Sequence, residues 1–160
     1  MPFISEKFAT YNAFANATID EIYGEKLKTA YQRSINTFSS KILLNTGNGF
    51  KIMELPSLAQ MAPILSIQTT DLNGDGFEDL VIAGNIYETE VETPRYDMGN
   101  GLVLMSNGVD NYTSIHPKDS QLYIEGNVKD VIAIDHAGLN QKILLAAINN
   151  EAIGVYQINQ

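Results

Sequence analysis

Hydrophobic residues in the first part of the chain recur at spacings of three and four, which is the period of an α-helix. Thr18 is followed by Glu21, and this pair matches a capping box for a helix that begins near Ile19. Gly24 is expected to interrupt that helix. The pattern assigns residues 1–33 to a helical N-terminal segment.

From residue 34 onward, short runs of Ile, Leu and Val alternate with Asn, Gly and Asp. Such runs, each bounded by turn residues, are typical of antiparallel hairpins and meanders. The predicted strands are 41–44, 51–54, 64–69, 80–84, 102–105, 112–115, 128–134, 143–148 and 153–158. Residues 34–160 are therefore expected to form one mainly β unit.

The β-rich part contains an internal repeat. Residues 41–52 and 102–115 both consist of a strand, an Asn/Gly turn, an aromatic residue and a second strand. A further strand, loop and strand follow each hairpin, and two pairs of residues occupy matching positions, Asp71 with Asp135 and Asn85 with Asn149. A unit of about 60 residues with about four strands is typical of a β-propeller blade. The sequence predicts about two and a half such blades, unless the likeness between short hairpins is coincidental.

The loop between the third and fourth predicted strands carries the clearest chemical pattern. Calcium binds six to eight oxygen atoms in flexible geometry, several of them anionic. Oxygen donors at alternate positions of a tight loop can point toward its centre. The expected ligands are Asp71, Asn73, Asp75, Phe77 through its backbone carbonyl, and Asp79. This pattern predicts a bound Ca²⁺ and leaves the side chain of Phe77 unconstrained.

Three alternatives to a calcium loop fit residues 71–79 less well. An EF-hand requires a Glu at its twelfth position, but Ile82 stands there inside an apolar run. Magnesium tolerates fewer protein ligands and stricter geometry. A metal-free Asn/Asp/Gly turn is common, although it would leave the carboxylates repelling one another. The matching loop 135–140 lacks the other carboxylates, so metal is expected in the first loop only, and His136 is expected to be a turn residue.

The sequence DLNGDGFEDLVIAG at 71–84 resembles the FG-GAP or VCBS repeat of integrin-α-type β-propellers. The hairpins at 45–50 and 106–112 resemble the strand-turn-strand between such calcium loops. With residues 94–97 following the calcium strand, the order of segments is similar to bacterial repeat proteins related to the ASPIC/UnbV group. The resemblance covers about residues 36–158. It implies a propeller, an extracellular or cell-envelope location, and a role in adhesion or in binding a protein or glycan.

Composition and charge narrow the function further. The formal net charge is −9, and the chain has no run of basic residues. Nucleic acids and anionic membrane surfaces bind clustered Lys and Arg, so neither is an expected partner. The chain has no Cys, which excludes disulfides and thiolate zinc sites. No apolar run approaches the ~20 residues of a membrane-spanning helix, and residues 1–7 show no signal-peptide pattern. Because propellers close with four to eight blades, the chain is expected to be a fragment of a larger propeller or to form homo-oligomers through open blade edges. A further alternative is that the N-terminal helices cap the open sheet.

The long loop between the fourth and fifth predicted strands is a second candidate site. Arg95, Tyr96 and Asp97 together could hold a sugar or peptide, since loops on β scaffolds often bind ligands. The alternative is a solvated segment with an Arg–Asp ion pair. No nucleophile elbow or phosphate loop is present, so the chain is expected not to be an enzyme. The alternatives are a carbohydrate-active hydrolase and a structural spacer; the hydrolase would use the carboxylates of Glu88, Glu90, Glu92 and Asp97.

Overall fold

The computed structural model describes residues 2–136 and 141–158. The chain divides into two compact units, Met1–Phe38 and Ser39–Gln160. Among the described residues, every helix is too short or too polar to cross a lipid bilayer.

The first unit contains three short helices, α1 (Pro2–Lys7), α2 (Tyr11–Ala15) and α3 (Ile19–Tyr23), followed by a 3₁₀ turn, Gly24–Thr29. The predicted capping box is confirmed. Thr18 Oγ1 accepts a hydrogen bond from Glu21 N (3.2 Å), and Glu21 Oε2 accepts one from Thr18 N (2.8 Å). Gly24, with φ of +54°, ends α3, as the sequence predicts.

The second unit is mainly β and contains three antiparallel sheets. The first sheet pairs β1 (Lys41–Asn45) with β2 (Phe50–Glu54). The second is a meander of β3 (Ser66–Thr70), β4 (Asp79–Ala83), β5 (Leu102–Ser106) and β6 (Tyr112–Ile115). The third contains β7 (Val128–His136), β8 (Gln141–Ile148) and β9 (Gly154–Ile158), and a short helix, α4 (Pro117–Ser120), precedes it. All nine predicted strands are present, with ends that differ by at most two residues.

One expectation about the third sheet is wrong. His136 is not a turn residue, because it pairs with Gln141 at the end of β7, and Asp135 pairs with Lys142 beside it. The antiparallel ladder thus extends two residues beyond the apolar run that marks the strand in the sequence. The rest of this loop, 137–140, lies outside the described residues.

Strand β4 lies at the centre of the second unit, and all five of its residues are buried. Successive side chains of a strand point to opposite faces. Leu80 and Ile82 therefore pack on one side with the fully buried Leu104, while Val81 and Ala83 pack on the other. The first cluster also contains Leu55, Ala59 and Ile42 of β1; the second contains Val131, Leu144 and Ala146 of the third sheet. The four-stranded sheet is thus the middle of three layers.

Polar side chains of β3 connect the second and third sheets. Val131 N donates to Ser66 Oγ (3.0 Å), and Ala133 N donates to Gln68 Oε1 (2.9 Å). These amides lie on the edge of β7 that does not pair with β8. An exposed strand edge would otherwise leave its N–H groups without acceptors. Side-chain hydrogen bonds thus fix the third sheet beside the second, and the described residues show layered sheets without a closed ring of blades.

Candidate functional site

The candidate metal loop, residues 71–78, connects β3 to β4. The residues that flank it, Thr70 and Asp79, are directly paired in the antiparallel ladder, so the hairpin fixes both ends of the loop. Leu72 packs its side chain against the cluster between the second and third sheets. The loop is thereby anchored to the core, while residues 73–78 are exposed.

Asp71 organises the first half of the loop. Its Oδ1 accepts a hydrogen bond from Gly74 N (2.7 Å), and its Oδ2 accepts one from Gly76 N (2.9 Å). The hydrogen bond from Gly76 N is the main cause that lowers the pKa of Asp71 below its ordinary value. The loop requires φ of +77° at Gly74 and +87° at Gly76, which favours glycine at both positions. Asp71 is therefore a charged, fixed carboxylate at neutral pH.

Asn73 and Asp75 form the exposed tip of the loop. Asn73 Oδ1 accepts a hydrogen bond from Asp75 N (3.0 Å), and Asn73 Nδ2 donates to Asp75 Oδ2 (2.8 Å). Asp75 Oδ1 accepts a hydrogen bond from Phe77 N (2.9 Å). The bonds from Asp75 N and Phe77 N each join a backbone N–H to a side chain two residues earlier, which is typical of Asx turns. The loop thus holds its shape through its own acidic and amide side chains.

Asp79 occupies a different environment from the other acidic residues of the loop. Its side chain is fully buried. Its Oδ2 accepts a hydrogen bond from Leu72 N (3.0 Å), and its Oδ1 accepts one from Ser106 N (2.8 Å). The carboxylate therefore joins the start of β4 to the start of the loop and to the end of β5. The sequence gives no sign of this structural role, because Ser106 lies far along the chain.

Phe77 is constrained, contrary to the sequence prediction. Its ring lies against the turn between β5 and β6, where a Cβ atom on Gly108 would overlap the ring. Glu78 O also accepts a hydrogen bond from the Tyr112 hydroxyl (3.3 Å). The loop therefore packs on the neighbouring hairpin through a ring and a backbone carbonyl. A residue without a large flat side chain would lose this contact.

The donor atoms of the loop fit calcium in chemistry. Asp71, Asn73 and Asp75 all offer hard oxygen atoms, and the last two are open to solvent. Within residues 2–136 and 141–158, no group of three or more His, Cys, Asp or Glu side chains is arranged to hold a metal ion. Backbone N–H groups donate hydrogen bonds to the carboxylates of Asp71 and Asp79. Backbone hydrogen bonds also offset the carboxylate repulsion that a metal-free turn was expected to suffer.

The second candidate site, in the loop between β4 and β5, contains an ion pair. Arg95 Nε lies 2.9 Å from Asp97 Oδ2, and the Arg95 guanidinium lies 4.4 Å from the centre of the Tyr87 ring. The hydrogen bond to Asp97 raises the pKa of Arg95 above its ordinary value. Tyr96 pairs its backbone with Ile86. The ion pair between Arg95 and Asp97, which the alternative interpretation predicts, is confirmed. A ligand bound by Arg95, Tyr96 and Asp97 stays a prediction.

A polar cluster that the sequence does not predict lies beyond the end of β4, opposite the candidate metal loop. Glu88 accepts hydrogen bonds from Lys129 Nζ (2.9 Å), Asn127 Nδ2 (2.7 Å) and Asn149 Nδ2 (3.0 Å). The bond from Lys129 is the main cause that lowers the pKa of Glu88 to about 2. Asn127 Oδ1 is buried and has no hydrogen-bond partner among residues 2–136 and 141–158.

Asn85 is a buried junction beside this cluster. Its Nδ2 donates to Gly126 O (2.7 Å) and to Gly99 O (3.2 Å), and its Oδ1 accepts from Gly99 N (2.8 Å). The side chain is fully buried. Its repeat partner is Asn149, and this equivalence was the only signal in the sequence that marked Asn85 as special.

The same end of the second sheet contains a cavity of about 220 Å³. Its lining is mostly apolar and includes Met61, Ile64, Met98, Leu102, His116 and Pro117. His116 caps α4, since its Nδ1 accepts a hydrogen bond from Lys118 N (3.2 Å).

No protein-family model, no curated protein and no solved structure matches the chain. The likeness of residues 71–84 to FG-GAP and VCBS repeats therefore stays a prediction from the sequence.

Proposed function

We propose that this chain is a calcium-stabilised module of β-propeller type that serves binding or adhesion and is not an enzyme. The observation that carries the proposal is the loop at 71–78. It presents Asp71, Asn73 and Asp75 at alternate positions of a fixed, exposed turn. Hard oxygen donors in this arrangement suit Ca²⁺ better than softer or smaller cations.

Calcium would bind the exposed side chains of Asn73 and Asp75 and leave the hydrogen bonds of Asp71 in place. Asp71 is already fixed by two backbone N–H groups, and it can still offer lone pairs to a cation. Ion binding would replace the hydrogen bond between Asn73 Nδ2 and Asp75 Oδ2, since that oxygen belongs to the expected ligand set. Asp79 would support the loop from the core, and a direct bond from Asp79 to the ion is the least supported part of the ligand set.

The propeller-type architecture is supported by the layered sheets and by the repeat. A complete meander of four strands, which is the content of one propeller blade, lies between a two-stranded and a three-stranded sheet. The hairpin β1–β2 corresponds to β5–β6, and β3–β4 corresponds to β7–β8, as the sequence repeat requires. An extracellular or cell-envelope location, and a protein or glycan as the bound partner, rest on the family resemblance.

The hydrolase alternative is less well supported. A carboxyl group with a pKa of about 2 holds no proton at neutral pH, so Glu88 cannot serve as a general acid there. Asp97 forms an ion pair with Arg95. A purely structural spacer would share the calcium loop but bind no ligand.

Thermal unfolding with calcium and with a chelator tests the proposal. Calcium at about 100 times its dissociation constant is expected to raise the melting temperature by roughly 5–10 °C. Asp75→Ala should lose this increase, because Asp75 is the most exposed charged ligand. Asp135→Ala, at the repeat position that matches Asp71, should keep it. Equal melting temperatures with calcium and with chelator would refute the proposal.

A further inference from the structure

The outer face of the first sheet is apolar and uncovered. Strand register places Leu43 opposite Ile52, and Phe50 opposite Asn45, on the face that points away from the second sheet. Leu43, Phe50 and Ile52 are 60%, 68% and 61% exposed. The alternate residue Ile42 packs inward against the core, so the strands have an inner and an outer apolar face. We call the Leu43, Phe50 and Ile52 surface the leading face.

The outer face of the third sheet is apolar as well. Register aligns Ile132 with Leu145 and Leu145 with Val155 on one side of the sheet. Ile132 and Val155 are 53% and 65% exposed, and Ile134 is 40% exposed. Leu144 of the same sheet points inward and is buried. We call the Ile132, Ile134, Leu145 and Val155 surface the trailing face.

The internal repeat relates the two exposed faces to residues of the second sheet that are buried. Leu43 corresponds to Leu104 of the second sheet, which is fully buried against the first sheet. Leu145 corresponds to Val81, which is 2% exposed and packs against the third sheet. The leading and trailing faces thus repeat the two sides of the second sheet, and within the chain those sides are packed against neighbouring sheets.

We infer that copies of this chain associate head to tail, with the trailing face of one copy packed on the leading face of the next. The repeat supports a second copy of this chain as the partner, because every copy carries both a leading and a trailing face. A contact between two different faces is heterologous, so it leaves one free face at each end of a dimer. The inference rests on the sheet repeat and not on the calcium loop, so either can fail without the other.

Charge predicts how this association depends on salt. Each copy has a formal net charge of −9, so copies repel one another at low ionic strength. Apolar contact between sheets is not weakened by moderate salt, whereas repulsion is screened. Association is therefore expected to strengthen as salt rises from about 0.02 to 0.3 M.

Sedimentation velocity of the full chain over a concentration series tests the inference with three variants. Leu43→Glu changes the leading face, Val155→Glu changes the trailing face, and Val91→Glu is the control at a fully exposed position on neither face. The wild type and the control should form species that are multiples of 17.6 kDa. Each face variant alone should associate at least about tenfold more weakly, since a charge replaces an apolar contact.

Mixing the two face variants gives the decisive result. Leu43→Glu retains an intact trailing face and Val155→Glu retains an intact leading face, so an equal mixture should form dimers and nothing larger. A monomeric wild type at the highest soluble concentration would overturn the inference. So would a dimer that survives in one face variant alone, because that result indicates a symmetric contact. Ile52→Glu replaces Leu43→Glu if circular dichroism shows that the latter is unfolded.

Discussion

Replacing Asp79 with alanine removes the acceptor of two backbone N–H groups, those of Leu72 and Ser106. A buried donor without a partner costs about 1–3 kcal/mol. Both N–H groups belong to half-buried residues, where water reaches part of the space, so the lower part of that range applies. Asp79→Ala is expected to lower the free energy of unfolding by about 2–4 kcal/mol, a large share of the 5–15 kcal/mol typical of a domain.

The assay is urea denaturation followed by far-ultraviolet circular dichroism, with a chelator present throughout. The chain has no Trp, so the signal of β structure is the better probe. Asp75→Ala is the matched control, because it removes a carboxylate from the same loop at an exposed position. Without calcium, this control should lose less than about 1 kcal/mol.

Equal denaturation midpoints for Asp79→Ala and Asp75→Ala would refute the structural role of Asp79. Such a result would mean that water satisfies Leu72 N and Ser106 N at no cost. A smaller loss in Asp79→Asn than in Asp79→Ala is expected, since the amide keeps one acceptor oxygen.

Three further predictions concern other parts of the second unit. The pKa of Glu88 is lowered from 4.5 to about 2, so its ion pair with Lys129 stabilises the fold above pH 4.5 and is lost as the pH falls toward 2. In urea titrations at several pH values, the difference in free energy of unfolding between wild type and Glu88→Gln should therefore vanish as the pH falls from 4.5 to 2. A difference that stays constant over this range would contradict the ion pair. Leu104→Ala should lower the free energy of unfolding by about 2–5 kcal/mol, while Leu43→Ala, at the matching exposed position of the repeat, should cost less than about 1 kcal/mol in dilute samples; similar losses would disprove the assignment of inner and outer faces. Gly99→Ala should lower the melting temperature, because its Cβ would collide with the carbonyl oxygen of Gly84, and an unchanged melt would contradict that close approach.

The strands could be predicted because their signal is local. Each apolar run lies between Asn, Gly or Asp residues, and both the run and its turns act through neighbouring residues. The capping box of Thr18 and Glu21 could be predicted for the same reason, since a capping box is complete within four residues. The exception, His136, shows the limit: the ladder partner Gln141 extends β7 beyond the apolar run, and only the paired structure sets that length.

The candidate site was predicted less completely than the strands. The loop at 71–78 and its flanking strands are where the sequence places them, because spacing within a hairpin is a local property. The burial of Asp79 depends on Ser106, and the contact of Phe77 depends on Gly108, each from another hairpin. Contacts between distant hairpins leave no pattern in a short stretch of sequence.

The polar junction at Asn85 illustrates the same limit. Its partners, Gly99 and Gly126, lie in two different loops, and nothing in the composition of those loops marks them as neighbours. The internal repeat that equates Asn85 with Asn149 identifies a shared position but not the shared hydrogen bonds.

Isothermal titration of calcium into chelator-treated protein measures whether residues 71–78 bind the ion. We expect one site per chain, lost in Asp75→Ala and kept in Asp135→Ala, because only the first of the two matching loops has several carboxylates. No binding up to millimolar calcium, or equal binding by Asp75→Ala, would show that the loop is a metal-free turn held by its own hydrogen bonds.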